Sequence, residues 1–231
     1  MSSSRLIRLS GLAALVGFAL IPILQVARVI AFPDTLTLSA ISVMDTFFVL
    51  NLLIVIAMLL GLLGLIGIYA RQAEKIGVLG LIAFLMTFFG WALYAALMWA
   101  ETFIWPAFAH VAPQFMDHPD QNMLTALNAS QTTHWLLFGA GWILFGVASL
   151  RASALPRGAA VLLIVGGVAA FVGNGVVGIP DEGILGSLVS VVSLLGVLGL
   201  AWMGYAVWSH PVAVADSLAP MVASGPSVAD R

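Results

Sequence analysis

About six stretches of this chain stay apolar for the roughly 20 residues that a helix needs to cross the hydrocarbon core of a bilayer, and nothing else in the sequence constrains the fold so tightly. Backbone N–H and C=O groups cannot go unbonded in hydrocarbon, so such stretches must be helices or strands of a closed barrel. Short alternating strands of barrel type are absent, which leaves the helix. With 62% hydrophobic and 8% charged residues and a mean hydropathy of +1.12, the chain lies far from soluble domains. We therefore expect an all-α polytopic membrane helix bundle of about six transmembrane helices. Their spans fall near 9–32, 46–70, 76–104, 133–150, 158–178 and 184–209, within residues 1–210.

Arg5 and Arg8 precede an apolar stretch, and Val29-Ile30-Ala31 imitates a signal-peptidase site. The stretch from Leu9 to Ala27 exceeds the 7–15 residues usual for a signal core, so it is expected to stay as a spanning helix. Six spans put both termini on one side. Arg5, Arg8, Arg71, Lys75, Arg151 and Arg157 share that side. The opposite loops hold Asp34, Asp45, Glu101, Asp117, Asp120, Asp181 and Glu182, with no Lys or Arg between Lys75 and Arg151. Short loops rich in Lys and Arg stay cytoplasmic, so the alternation predicts N-in, C-in in an inner (plasma) membrane. Arg28, near the outer end of the first helix, is the exception.

Between 105 and 132, Pro106, Pro113 and Pro119 forbid one continuous helix, so this connection is expected to be a structured outer segment. Beyond Pro119, residues 120–131 suit a short helix along the membrane surface with Met123, Leu124 and Leu127 on one face. From Pro211 the chain turns rich in Pro, Gly and Ser, and 211–231 is expected to be a disordered cytoplasmic tail. The inner hairpins Gly67 to Gly77 and Gly146 to Gly158 look alike, each carrying two basic residues. A duplication would explain this, but hairpins of that polarity are also what the positive-inside rule demands.

Composition excludes several chemistries. With no cysteine there is no disulfide, thiolate nucleophile, Cys-ligated zinc or iron–sulfur cluster. No block of Lys or Arg offers a footprint for nucleic acid, which is not expected as a partner. The expected partners are the lipid bilayer and either another membrane protein or further copies of the chain. No cofactor is expected.

The run Leu144-Phe145-Gly146 through Arg151 to Leu155-Pro156-Arg157, followed by a glycine-rich apolar helix, resembles a pattern in uncharacterised six-helix bacterial inner-membrane proteins of the domain-of-unknown-function type. The resemblance covers the fourth and fifth helices. It implies a six-helix fold and a bacterial inner membrane, and no activity.

Gly173-Asn174-Gly175-Val176-Val177-Gly178 matches the dinucleotide fingerprint in letters only, because that motif must follow a strand and open a helix, whereas here it closes an apolar helix. It is better read as a helix end loosened by glycine, with Asn174 able to bond exposed backbone groups. Gly61, Gly64 and Gly67, like Gly166, Ala170 and Gly173, suit close helix packing in lipid. Ser187, Ser190 and Ser193 suit bonds to carbonyls one turn back. Trp99, Trp105 and Trp135 suit an outer aromatic belt and Trp208 an inner one.

The informative residues are polar ones at membrane depth, which are costly unless they face protein or water. Arg28, Asp45, Asn51, Glu101, His134 and Asn174 all belong to the outer third of the expected bundle. Two arrangements are open: Arg28 pairs with a carboxylate and locks the bundle, or the six line a pocket open to the outer face. For the ion pair Glu101 is preferred over Asp45, which is better placed to cap the second helix. His110, His118 and His134, with Glu101, Asp117 and Asp120 as companions, are candidate metal ligands, although their spacing matches no ligand signature. Asp117-His118-Pro119-Asp120 reads instead as a turn with a helix start.

Three functions follow as alternatives. The first is a non-enzymatic membrane subunit, assembly factor or sensor acting through helix contacts. The second is a small transporter or lipid-binding protein using the outer polar pocket. The third is a membrane-embedded metal-dependent hydrolase.

Overall fold

The computed structural model describes residues 3–32, 35–177 and 183–210, which fold into helices alone. Asp34, Asp181, Glu182 and the tail 211–231 lie outside the described residues.

The long elements are α1 (Ser3–Ala31), α3 (Asp45–Phe103), α6 (Gln121–Ala152), α7 (Arg157–Val168) with the π-helical segment Ala169–Val177 that continues it, and α8 (Gly183–Ser209). Short α2 (Leu38–Ser42), α4 (Trp105–Val111) and α5 (Pro113–Asp117) connect them. Five helices are long and apolar enough to cross a membrane. The chain is thus a multi-pass helical membrane protein.

At 59 residues, α3 would run for about 88 Å if straight, nearly three times the hydrocarbon thickness of about 30 Å. It does not run straight. Gly77 leaves helical geometry at φ 63°, ψ −166°, a left-handed conformation open to glycine and strained for other residues. A Cβ on Gly77 would meet nothing within 4 Å, so the backbone angle alone requires glycine there. Gly77 divides α3 into two arms, 45–76 and 78–103.

Small residues set how the helices meet. Gly64 leaves no room for a Cβ against the Ala14 backbone, and a Cβ on Gly17 would sit 2.5 Å from the Ala57 carbonyl oxygen. Gly90 abuts Phe138, Gly167 abuts Trp142, and Gly166 faces Gly196. These contacts close a ring in which α1 packs on α3 and α8, α3 on α6, α6 on α7, and α7 on α8. Inside it Trp91 packs on Phe18, Phe138 and Trp142 with ring centroids 5.2, 4.7 and 6.1 Å away. The ring's outside is aliphatic. Along the first arm of α3, Leu53, Ile56, Leu59, Leu63 and Ile66 are exposed, while Ile54, Met58, Gly61, Leu65 and Ile68 face the core. That is the polarity a helix takes when lipid replaces water as its solvent.

The same contacts sort the charges. Gly67 meets Ser10, Gly11 meets Gly204 and Trp208, and Gly158 meets Trp202. Arg5, Arg8, Arg71, Lys75, Arg151 and Arg157 therefore gather at one end of the bundle, the basic end, and Asp45, Glu101, Asp117 and Asp120 at the other, the acidic end.

The connection 105–132 differs from expectation. Pro106 and Pro113 start α4 and α5, where a missing N–H costs nothing. Residues 121–132 form no separate surface helix, because the fourth apolar stretch begins within α6, which starts at the Asp120 cap. Its 32 residues span about 48 Å, and its first two turns are exposed. Met123, Leu124 and Leu127 lie there, more than a third exposed.

Candidate functional site

Arg28 and Glu101 meet at the acidic end. One turn before its end, α1 presents the Arg28 guanidinium, and Nη2 donates to Glu101 Oε2 at 2.7 Å. Nη1 points to Met98 Sδ at 3.7 Å, and the Phe47 ring lies 5.2 Å from the guanidinium carbon. The Glu101 side chain is 7% exposed and that of Arg28 23%. One turn deeper, Gln25 Nε2 donates to Tyr94 Oη at 2.9 Å. The spacing explains the register: Gln25 and Arg28 share one face of α1, and Tyr94, Met98 and Glu101 share one face of α3.

Arg28 and Glu101 are joined. Asp45 occupies the first turn of α3 rather than capping it: the N-cap is Met44, which has no side-chain bond to offer. As an acid in that turn, Asp45 still meets the positive end of the helix dipole. Asn51 is fully buried, and neither atom of its amide has a hydrogen-bond partner. Asn174 falls in the π-helical segment, a widened form frequent at functional sites, and its Nδ2 is buried without a partner.

His134, 3% exposed, lies on the core face of α6. Its ring stacks on Tyr94 at 5.2 Å and 3°, and it bonds the Ser130 backbone one turn back. Nε2 has no partner. His134 also lines a cleft of about 400 Å³ between α3 and α6. His110 and His118 are exposed on the short connecting segments. Among the described residues no group of three or more His, Asp or Glu comes together as a metal site.

Sequence reasoning missed two features. The first is a clasp in which Asp117 of α5 accepts from the Ser39 backbone N–H at 2.9 Å and from Ser39 Oγ at 2.6 Å. These bonds hold the Asp117 carboxyl below its ordinary range, the Ser39 hydroxyl contributing most, because they stabilise the ionised form. The carboxylate thereby caps α2 from another segment, beside the Thr37 cap. Asp120 supplies the expected helix start, accepting from the Met123 N–H at 2.8 Å.

The second is a set of buried polar atoms deeper in the bundle: the Gln72 amide, Thr87 Oγ1, Trp91 Nε1, Trp142 Nε1 and Ser149 Oγ, all without partners. Gln72 lies between the spans 46–70 and 76–104 expected from the sequence. It continues the core register of Leu65, Ile68 and Ile76 at helical spacing, which is the signal that could have found it.

No family model, curated protein or solved structure matches the chain. Arg28 and Glu101 neutralise each other and are hemmed by Met98 and Phe47, which makes them a brace between α1 and α3.

Proposed function

We propose that this chain is a non-enzymatic component of a bacterial inner membrane, a subunit, assembly factor or sensor that acts through helix contacts. The observation that carries this reading is the closure of the Arg28–Glu101 pair. In a transporter using the outer polar cluster these two residues would be the strongest ligand groups, and here each is occupied by the other. With Arg28 and Glu101 committed to each other, what the bundle offers a protein partner is its aliphatic exterior. On the first arm of α3 the exposed residues Leu53, Ile56, Leu59, Leu63 and Ile66 follow three- and four-residue steps, the ridge spacing by which helices interdigitate.

The same reading has six crossings with both termini cytoplasmic. Each arm of α3 is long enough to span, and the basic end collects Arg and Lys from four separate segments, as the positive-inside rule requires of a cytoplasmic face.

Because the chain lacks cysteine, single Cys substitutions test both points. Ile56→Cys and Leu63→Cys should give disulfide-linked homodimers in native membranes, or a stoichiometric partner should survive purification in mild detergent. A solitary monomer that exchanges no partner refutes the proposed function. For topology, a Cys at Ser153 should be shielded from a membrane-impermeant maleimide in intact cells and one at Gln121 labelled; the reverse pattern overturns the orientation.

A further inference from the structure

The two ends of the bundle treat their charges differently. At the acidic end Glu101 is paired with Arg28, Asp117 holds Ser39 and Asp120 caps α6. At the basic end Arg5, Arg8, Lys75, Arg151 and Arg157 are exposed and Arg71 is half-buried. None of these six has an ion pair or a side-chain hydrogen bond among the described residues, and Glu74 is the one described acid placed with them. The positive-inside rule accounts for the side on which such cations lie and says nothing of what neutralises them. At the edge of a bilayer the counter-charges within reach are headgroup phosphates, which attract each Lys or Arg near the surface.

One of the six stands at the head of a surface shaped for a lipid. Arg157 opens α7, and Val161, Val165 and Val168 follow it in three- and four-residue steps, all exposed, while Ala160, Leu163 and Gly167 turn to the core. The stripe is therefore one face of the helix. From Arg157 to Val168 it runs about 16 Å, close to half of the hydrocarbon thickness of about 30 Å, which is the reach of an acyl chain in one leaflet. The other wall is α8. A Cβ on Gly199 would sit 2.6 Å from the Ala159 carbonyl oxygen, so the two backbones pack closely and leave a furrow outside the contact. Trp202 and Leu198 border it, 45% and 43% exposed. A Cβ on Gly158 would sit 2.8 Å from Trp202 Cη2, which lays the indole over the first turn of α7 beside Arg157. The furrow thus carries a cation and an amphipathic ring at its headgroup end and hydrocarbon below.

We propose that this furrow binds one anionic glycerophospholipid, its phosphate paired with Arg157 beside the Trp202 indole and an acyl chain lying along Val161, Val165 and Val168. The phosphate supplies the charge-assisted bonds that the Arg157 guanidinium does not find in the chain, and an indole suits the boundary between headgroup and hydrocarbon. A zwitterionic lipid offers the same acyl chain but carries an ammonium that offsets its phosphate, so charge decides between the two. The proposal needs only that the chain spans a membrane. It does not depend on the orientation or on how the protein meets its partners.

Because the chain has no cysteine, Val165→Cys carrying a bimane fluorophore reports on the furrow. Val16→Cys is its control: Val16 is exposed and follows the exposed Arg8 by the same eight residues that separate Val165 from Arg157, about 12 Å at helical rise. The full-length variants are reconstituted in dioleoylphosphatidylcholine vesicles with a minor, equal fraction of either dibrominated phosphatidylglycerol or dibrominated phosphatidylcholine, whose bromines quench on contact. Quenching at Val165 should correspond to about a fivefold preference for phosphatidylglycerol, and at Val16 to a much smaller one. Arg157→Gln should bring the preference at Val165 down to the Val16 level, while unchanged quenching there by dibrominated phosphatidylcholine shows that α7 still faces lipid. Equal quenching by the two lipids at Val165 leaves the cation to water or to a protein and overturns the proposal. An equal preference at Val165 and Val16, which is the diffuse attraction of the whole basic end, also overturns it, as does a preference that survives Arg157→Gln.

Discussion

Removing either partner of the Arg28–Glu101 pair should destabilise the protein, and removing both should cost much less than the sum. Arg28→Ala strands the Glu101 carboxylate, whose side chain is 7% exposed, and breaking a buried pair from one side costs about 3–5 kcal/mol. The lower figure applies here because the pair sits near the end of its helices. Glu101→Ala strands a guanidinium that is 23% exposed, keeps Phe47 beneath it and can extend toward water, so the loss should be about 2 kcal/mol. In the double variant no charge is stranded, and about 3 kcal/mol should be lost in place of the additive 5, a coupling of about 2 kcal/mol. Unfolding of the four proteins by dodecyl sulfate in mixed micelles, followed by far-UV circular dichroism, measures all four free energies. Single effects that add to within about 0.5 kcal/mol would refute the brace.

Asn51→Leu should leave stability unchanged or raise it by about 1 kcal/mol, because neither amide atom has a partner to lose; a clear loss in the same unfolding assay would show that the amide is bonded in the membrane. Gly64→Ala should cost about 1–3 kcal/mol, since the new methyl falls on the Ala14 backbone and α1 must move away from α3; a neutral result would mean that the two helices do not meet there. The Asp117 clasp should be pH-sensitive in a known direction. Its folded carboxyl titrates below the ordinary Asp value of 3.8, so the stabilisation is fully present above that value and is lost as pH falls through the folded one. Hydrogen-exchange protection of the Ser39 amide should fall in that window, and Asp117→Asn should reduce it at neutral pH; protection independent of both would remove the clasp.

Much of the architecture was legible because a bilayer leaves a chain few choices. Apolar length set where helices cross, prolines set where α4 and α5 begin, and Asp120 marked the start of α6. These are local rules, in which the residue and its near neighbours carry all the information. Register also reached further than expected: the spacing of Gln25 with Arg28 and of Tyr94 with Met98 and Glu101 holds two interhelical bridges one turn apart, and the Arg28–Glu101 bond could be anticipated from equal height in the membrane. What required the tertiary structure was every statement about which faces meet. Sequence gives depth along a helix but not rotation about it, so it placed Asn51 and Asn174 at a suitable height for a pocket without showing that amide atoms of both are buried with no partner. Asp117 reaches Ser39 across 78 residues, and no short-range signal announces a cap supplied from another segment. The cleft lined by His134 belongs to α3 and α6 jointly, and neither helix alone records it.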